Sequence, residues 1–420
     1  MAIHQIEEPV YPPQKPSWEI FTAAPHRMMF FSGAVQLVLP ILFWVIELIG
    51  RYTSLWSPFE LYAPTTWAHA FIMLYGVFIF FIFGFLMTVY PRWMNGEIIP
   101  KDRYVSTWLW LSLGMALFEI GLFVNPFLAV SGLAIFLFGW AYGQWVLFQV
   151  YKTAPALNKR YETILNIALS LGWLGAFCFL LWLITDHWQF VNLSLRAGLW
   201  LFLLPVLITV THRMLPFFSS NVIPNYKIIH PRWSLPLMGL ACSGHMLLET
   251  NQLYQWLFIT DIPLAFMGFH HSLKWNLRGS MINRLLAVLH LAFLWLGIGM
   301  ALSSLQSLYL LFSGELILGK GPLHAITIGF IASMLIAMSS RVTMGHSGRM
   351  LVLDTLTWAL FLGLQFTAVL RILADLNATQ SVAGLSLNVI ASVGWLLCVG
   401  IWVKRFAPMY LHARIDGREG

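Results

Sequence analysis

Charge is what this sequence has least of. Only 10% of its 420 residues are charged, against about 25% in soluble globular domains. A soluble chain of this length would divide into two or three domains with polar surfaces, and too few charges are present to coat them. Cysteine is nearly missing. Cys178, Cys242 and Cys398 form no CxxC, no CxxCH haem attachment and no disulfide framework. There is no P-loop, no low-complexity tract and no soluble catalytic domain. Strict alternation of apolar and polar residues is absent, which argues against a transmembrane barrel. Residues 1–25 are polar, acidic and proline-containing without a signal-peptide pattern, so they read as a short cytoplasmic tail.

What the chain does have is hydrophobic length. Hydrophobic residues make up 59% of it, in recurring runs of about 20, the length at which a helix rising 1.5 Å per residue crosses the hydrocarbon layer. The expectation is an all-α, polytopic integral membrane helical bundle of about twelve transmembrane helices. The spans are expected at 27–50, 67–90, 107–125, 127–148, 163–185, 195–212, 233–250, 254–273, 285–312, 322–342, 354–374 and 383–404. Residues 1–26 would be a cytoplasmic N-terminal tail, 27–404 a single transmembrane domain and 405–420 a cytoplasmic C-terminal tail. The tightest junctions are Asn125-Pro126 and the stretch from Glu249 to Tyr254. If either pair were one long helix, the parity of everything after it would change.

The basic residues test that parity. With both termini cytoplasmic, 20 of the 24 Lys and Arg fall inside and only Arg51, Arg196, Lys320 and Arg371 outside, as the positive-inside rule requires. The formal charge of +7 then reflects topology and attraction to anionic lipid rather than nucleic-acid binding. Trp56, Trp67, Trp93, Trp108, Trp188, Trp233 and Trp275 lie near expected span ends, as an interfacial aromatic belt does. Tyr90-Pro-Arg-Trp93 and His230-Pro-Arg-Trp233 echo each other, but no longer internal repeat is evident.

Ionisable groups inside a membrane are costly, so each one is a functional hypothesis. Nine of the 13 His lie in or at the edge of spans: His26, His69, His212, His245, His270, His271, His290, His324 and His346. His69 opens span two and His324 opens span ten, which run in the same direction, so both sit toward the outer leaflet. His245, near the outer end of span seven, lies at comparable depth. Facing imidazoles on separate helices can hold a haem by both axial positions, and imidazole also suits copper. A lone intramembrane His can equally hydrogen-bond a neighbouring helix and bind nothing, contributing about 1 kcal/mol. His245 and Glu249 share a helix face, either as a ligand with its carboxylate support, as a proton-relay step, or as an interfacial pair in water. His212, His270, His271 and His290 form a weaker, inner-side candidate for a metal. The link carrying Arg341, Gly345, His346, Gly348 and Arg349 reads as a backbone nest for an anion or an ordinary positive-inside loop. Asp261, a single acid within span eight, precedes Pro263, where a local break would satisfy it.

A family resemblance follows from these segments. Residues 324–329 (His-Ala-Ile-Thr-Ile-Gly), 333–338 (Ser-Met-Leu-Ile-Ala-Met) and 341–349 (Arg-Val-Thr-Met-Gly-His-Ser-Gly-Arg) resemble the signature of the NnrS family. Gly76 through Gly84-Phe-Leu-Met-Thr88, with Pro91-Arg-Trp93, is similar to its second-span pattern. His212-Arg-Met-Leu-Pro-Phe-Phe218 is similar to its block after span six, and Pro25-His-Arg27 fits less specifically. The resemblance implies a twelve-span bacterial inner-membrane protein of the nitric oxide response that contains haem and copper. It points to His69, His324 and His346, with Arg341 and Arg349 beside the last. The family's second span often opens with His-x-His-Glu; here His69 keeps the first place but Phe71 and Ile72 hold the others. That departure weighs against copper more than against haem.

The expected function is therefore protection against nitric oxide by a haem held by His69 and His324, with His245 as a third ligand or hydrogen-bond partner. The expected partners are the lipid bilayer and an uncharged diatomic, and the sequence names no electron donor. If it is an enzyme, it is an oxidoreductase acting on nitric oxide or a related small molecule. One alternative is a haem-copper-oxidase or nitric-oxide-reductase-like enzyme, which also places haem-ligating His on spans two and ten. Against it, the chain has no His-Pro-Glu-Val-Tyr and no His-x-His in span ten. Others are a metal-free multispan permease, whose signs would be paired broken helices and inverted repeats, and a haem-binding sensor without turnover.

Overall fold

The protein is described from a computed structural model covering residues 16–53, 55–376, 381–382 and 385–417. The first half of the expected N-terminal tail, the end of the C-terminal one and the start of span twelve at 383–384 lie outside the described residues. The chain is built of helices. The described residues contain one extended pairing, the two-residue ladder of Ser381–Val382 on Leu385–Ser386.

Among the described residues ten helices are long and apolar enough to cross a membrane: α1 (Pro25–Tyr52), α2 (Thr65–Met94), α3 (Lys101–Val124), α4 (Pro126–Thr153), α5 (Arg160–Thr185), α6 (Trp188–Ser220), α9 (Arg284–Ser313), α10 (Gly321–His346), α11 (Thr355–Leu373) and α12 (Leu387–Leu411). Between α6 and α9 lie two further helices of 17 residues, α7 (Ser234–Thr250) and α8 (Phe258–Lys274). At 1.5 Å per residue each reaches about 26 Å, short of a hydrocarbon layer of about 30 Å. Both tight junctions are genuine turns. Asn125 is extended and its side chain caps Phe127 N at 2.7 Å, with Pro126 at the first helical position. After α7 the chain turns through Gln252 at φ 59°. The α7–α8 turn carries no Lys or Arg, so the partition of basic residues is the same whether this hairpin crosses or only dips in. The charge pattern thus fits ten crossings as well as twelve.

The helices form three modules of four, α1–α4, α5–α8 and α9–α12. Consecutive modules join through α4 on α5 and α8 on α9, and α12 closes on α1. The second helix of each module is central. Buried residues make up 78%, 72% and 78% of the most apolar stretch in α2, α6 and α10, against 28–67% in the other long helices. Each of the three contains a π-helical segment, Ile72–Val77, Gly198–Leu203 and Ala325–Ala332, beginning 126 and 127 residues apart. This is an internal repeat that the sequence did not display. Successive side chains differ while the backbone irregularity recurs at one position in each module. A π turn leaves backbone groups poorly paired and often marks a functional site. Here side chains tie them down. The Tyr75 hydroxyl donates to the Ser194 carbonyl at 2.7 Å, and Ser333 Oγ donates to the Ile328 carbonyl at 3.0 Å.

The α3–α4 hairpin is packed through glycine. A Cβ at Gly114 would meet Phe136 N at 2.2 Å, and one at Gly121 would meet Ala129 N at 2.2 Å. Backbones this close are how membrane helices gain dispersion contacts without a hydrophobic driving force. Gly121→Val is expected to push the hairpin apart. Overpacking costs about 1–3 kcal/mol, and the clash is with backbone that cannot rotate away, so the upper end applies. A thermal unfolding midpoint in detergent equal to wild type would refute this packing.

Candidate functional site

The first turns of α2 and α10 carry His69 and His324, each just before a π segment. The His69 ring stacks on Trp44 of α1, with centroids 4.0 Å apart and planes 8° from parallel. Its Nδ1 is buried and has no hydrogen-bond partner. His324 Nδ1 bonds the Lys320 carbonyl at 2.9 Å. A carbonyl accepts only from N–H, so neutral His324 carries its proton on Nδ1 and leaves the Nε2 lone pair free, the arrangement of a ligating imidazole. The two rings are near enough for charge on one to act on the other, and the charges of Lys320 and Arg371 reach both. Arg51 lies over Trp44 at 5.0 Å and is held by Glu47 at 2.7 Å. Two imidazoles with an unpartnered buried nitrogen and a free lone pair, rimmed by cations, fit the donor set and anionic substituents of a haem.

His245 is placed differently from the expectation. Among the described residues its partners are Asp261, Glu249 and Trp200, and no ring contact joins it to His69 or His324. Nδ1 is 2.5 Å from Asp261 Oδ1, Nε2 is 3.7 Å from Glu249, and the ring stacks on Trp200 at 3.5 Å. Asp261, fully buried, also accepts from Ser303 Oγ at 2.6 Å. The local break expected at Pro263 is therefore not what satisfies Asp261: α8 runs through Pro263, and side chains of α7 and α9 do so instead. Glu249 accepts from Trp200 Nε1 at 2.9 Å and lies 3.5 Å from Arg196. The result is a polar chain from Asp261 through His245 to the half-exposed Glu249.

The inner histidines are only partly gathered. His212 Nδ1 and Nε2 bond Tyr161 Oη at 3.1 Å and Ser234 Oγ at 2.8 Å. His271 lies 5.7 Å from His212 by ring centroid, with Nδ1 on the Met267 carbonyl and Nε2 buried and unpartnered. His270 packs on Phe266, and His290 Nε2 bonds Ser219 Oγ at 2.9 Å, away from the group. His230, which the sequence left in a loop, is the member that was missed: its ring is 5.3 Å from His212. The one signal for it was the Pro-Arg-Trp echo beside it. Among the described residues no three His, Cys, Asp or Glu side chains are arranged to hold a metal ion. His212 has both nitrogens committed, so the set does not fit copper.

The 341–349 segment is mostly not a loop. α10 runs through His346, so Arg341 and Gly345 are helical, and Arg341 lies over the Phe218 ring at 4.1 Å. Only Ser347 to Arg349 turn, with Gly348 at φ 75°. A nest made of the whole motif is excluded. The companion of His346 is His26, 4.4 Å away by ring centroid.

His230 lies between α6 and α7. Burial, with Arg160 and Arg213 nearby, holds its pKa below the usual 6.5, while a hydrogen bond to the His212 backbone works the other way. The unfolded chain then binds more protons than the folded one at pH values between the two pKa values. Stability is expected to fall as pH drops below about 6.5 and to be insensitive to this residue above it. His230→Asn should flatten that portion of a melting-temperature profile, and an unchanged profile would remove His230 as its source.

These features define a class: a multi-span helical membrane protein with histidines beside π segments in its central helices. The family model described as NnrS protein matches residues 20–414, nearly the whole chain, and the chain belongs to the NnrS family. No curated protein matches it.

Proposed function

We propose that this NnrS-family protein protects a bacterial inner membrane against nitric oxide by way of a haem held by His69 and His324. The observation that carries the reading is the equivalent placement of the two imidazoles. Each lies in the first turn of a central helix, just before a π segment, one with a free Nε2 and one with an orphaned Nδ1. Bound there, haem would supply a redox-active iron. His69 and His324 would hold and orient the group. Trp44 would fix the His69 ring, and Arg51, Lys320 and Arg371 would offset anionic substituents at the rim. An uncharged diatomic dissolves in lipid and needs no channel to reach this depth. In this reading the α7–α8 hairpin completes twelve crossings, with both termini cytoplasmic.

The test is an absorption spectrum of protein purified in detergent after haem-replete expression. A Soret band is expected, and its absence sinks the reading. The modular bundle with histidines on α2 and α10 also favours a second reading, an oxidase-like or reductase-like enzyme. Consumption of oxygen or nitric oxide by the purified protein with a chemical reductant would select it.

A further inference from the structure

The face of the bundle opposite His69 and His324 gathers positive charge, only part of which is paired: Arg213 donates to Glu162 at 2.8 Å. Three central-helix arginines sit there at corresponding places, Arg92 on α2, Arg213 on α6 and Arg341 on α10. Two of them lie on aromatic rings of a neighbouring module: Arg213 over Trp93 at 4.2 Å and Arg341 over Phe218 at 4.1 Å. At the third seam Arg92 meets no such ring. Its charge acts instead on His26 and His346.

That seam holds a small, partly open cavity of about 10 Å³ lined by His26, Arg27, Thr343, His346, Ser347 and Tyr410, among others. His26 is 2% exposed and Arg27 3%. Both point an unpartnered nitrogen into the interior, His26 Nδ1 and Arg27 Nε. The terminal nitrogen of Arg27 is spent on the carbonyls of Ile20, Tyr410 and His412 at 3.3, 3.2 and 2.8 Å. Among the described residues no carboxylate pairs with Arg27. Asp416 pairs with Arg414, whose own charge reaches Arg27 and both imidazoles. A buried guanidinium with a free N–H and no anion is costly.

We infer that this seam is a binding site for one small monatomic anion such as chloride, held by Arg27 Nε and the His26–His346 pair. The volume suits a single water-sized occupant, so a phosphate carrying ester arms does not fit. Arg27 donates from Nε, and either imidazole donates once its tautomer places the proton toward the cavity. The charge of Arg92, and what remains of that of Arg414, favours an anion over the water that would otherwise fill the space. Nothing in this site depends on haem.

The experiment is thermal unfolding of the detergent-purified chain, followed by tryptophan fluorescence. Sodium chloride or sodium nitrite is exchanged for sodium gluconate at constant ionic strength, so that general salt effects cancel. A ligand that binds only the folded state raises the midpoint in a saturable way. The expected result is saturation with chloride and none with gluconate, nitrite being too large to match chloride. Arg27→Lys keeps the charge but removes the Nε donor, and should raise the half-saturating concentration about tenfold or more. His346→Gln, at a half-buried position, tests the same site should Arg27→Lys not fold. Lys101→Gln, an exposed charge outside the seam, should leave the curve unchanged. A midpoint that does not saturate, an equal response to gluconate, or saturation indifferent to both seam variants overturns the inference.

Discussion

In haem-replete protein the His69→Ala/His324→Ala double variant is expected to lose the Soret band altogether, while each single variant retains part of it with a shifted maximum. The reasoning is coordination. Both imidazoles would hold the group, so losing one would leave a single protein ligand and losing both would leave none. His324→Ala should be the more damaging single change. Its free Nε2 is preset by the Lys320 carbonyl at 2.9 Å, whereas His69 is held by stacking on Trp44. A fold control accompanies the spectrum: the double variant should elute as wild type on size exclusion, because neither side chain donates to another helix among the described residues. A full Soret band in the double variant would move the haem elsewhere and leave the inner-face anion site untouched.

The second large effect concerns Asp261. Asp261→Ala removes the partner of His245 Nδ1 and of Ser303 Oγ in a fully buried place. Breaking one side of a buried pair costs about 3–5 kcal/mol, because the remaining group is left desolvated. The variant should unfold at a markedly lower temperature or denaturant concentration. Replacing both sides by apolar residues, as in Asp261→Leu/His245→Leu, removes the stranded group too and should recover most of that loss. A double variant as unstable as Asp261→Ala would show that the pair is not the source of the cost. If the double variant is stable but inactive against nitric oxide, the polar chain from Asp261 to Glu249 serves function rather than folding, as a proton path would.

Much of the architecture was legible because apolar length is a direct physical signal. Each expected span has a helix in its place, and the Asn125-Pro126 junction is a break between two of them. Two features were not. The shortness of α7 and α8 was half hidden, because an apolar run of about 18 to 20 residues is near the least that can cross. The three-module repeat was hidden because a π insertion changes hydrogen bonding without changing composition, and Gly76, Gly198 and Gly329 within the π segments read as ordinary membrane glycines.

At the site, His69 and His324 stood out as ionisable residues at equal depth. His245 was paired with Glu249 by helical spacing, yet its shorter bond is to Asp261, 16 residues away on the next helix, at 2.5 Å against 3.7 Å. Spacing along one helix cannot reveal a partner across a hairpin. The inward packing of His26 and His230 was hidden for a related reason. Each lies where a tail or loop meets the bundle, and only packing shows that the segment folds inward.

The modules have an even number of helices, and that count has a consequence of its own. An even module ends on the face where it began, so α2, α6 and α10 all point the same way, and this holds whether or not the α7–α8 hairpin crosses. Three parallel central helices align their peptide dipoles, positive at the end bearing His69, Arg196 and His324 and negative at the end bearing Arg92, Arg213 and Arg341. The two faces of the molecule are therefore chemically unlike, with no operation that exchanges them. Three parallel modules are repeats of one orientation, not the inverted pairs that some carriers use. A molecule of fixed polarity is suited to vectorial chemistry, in which the two leaflets meet different ends of the same central helices.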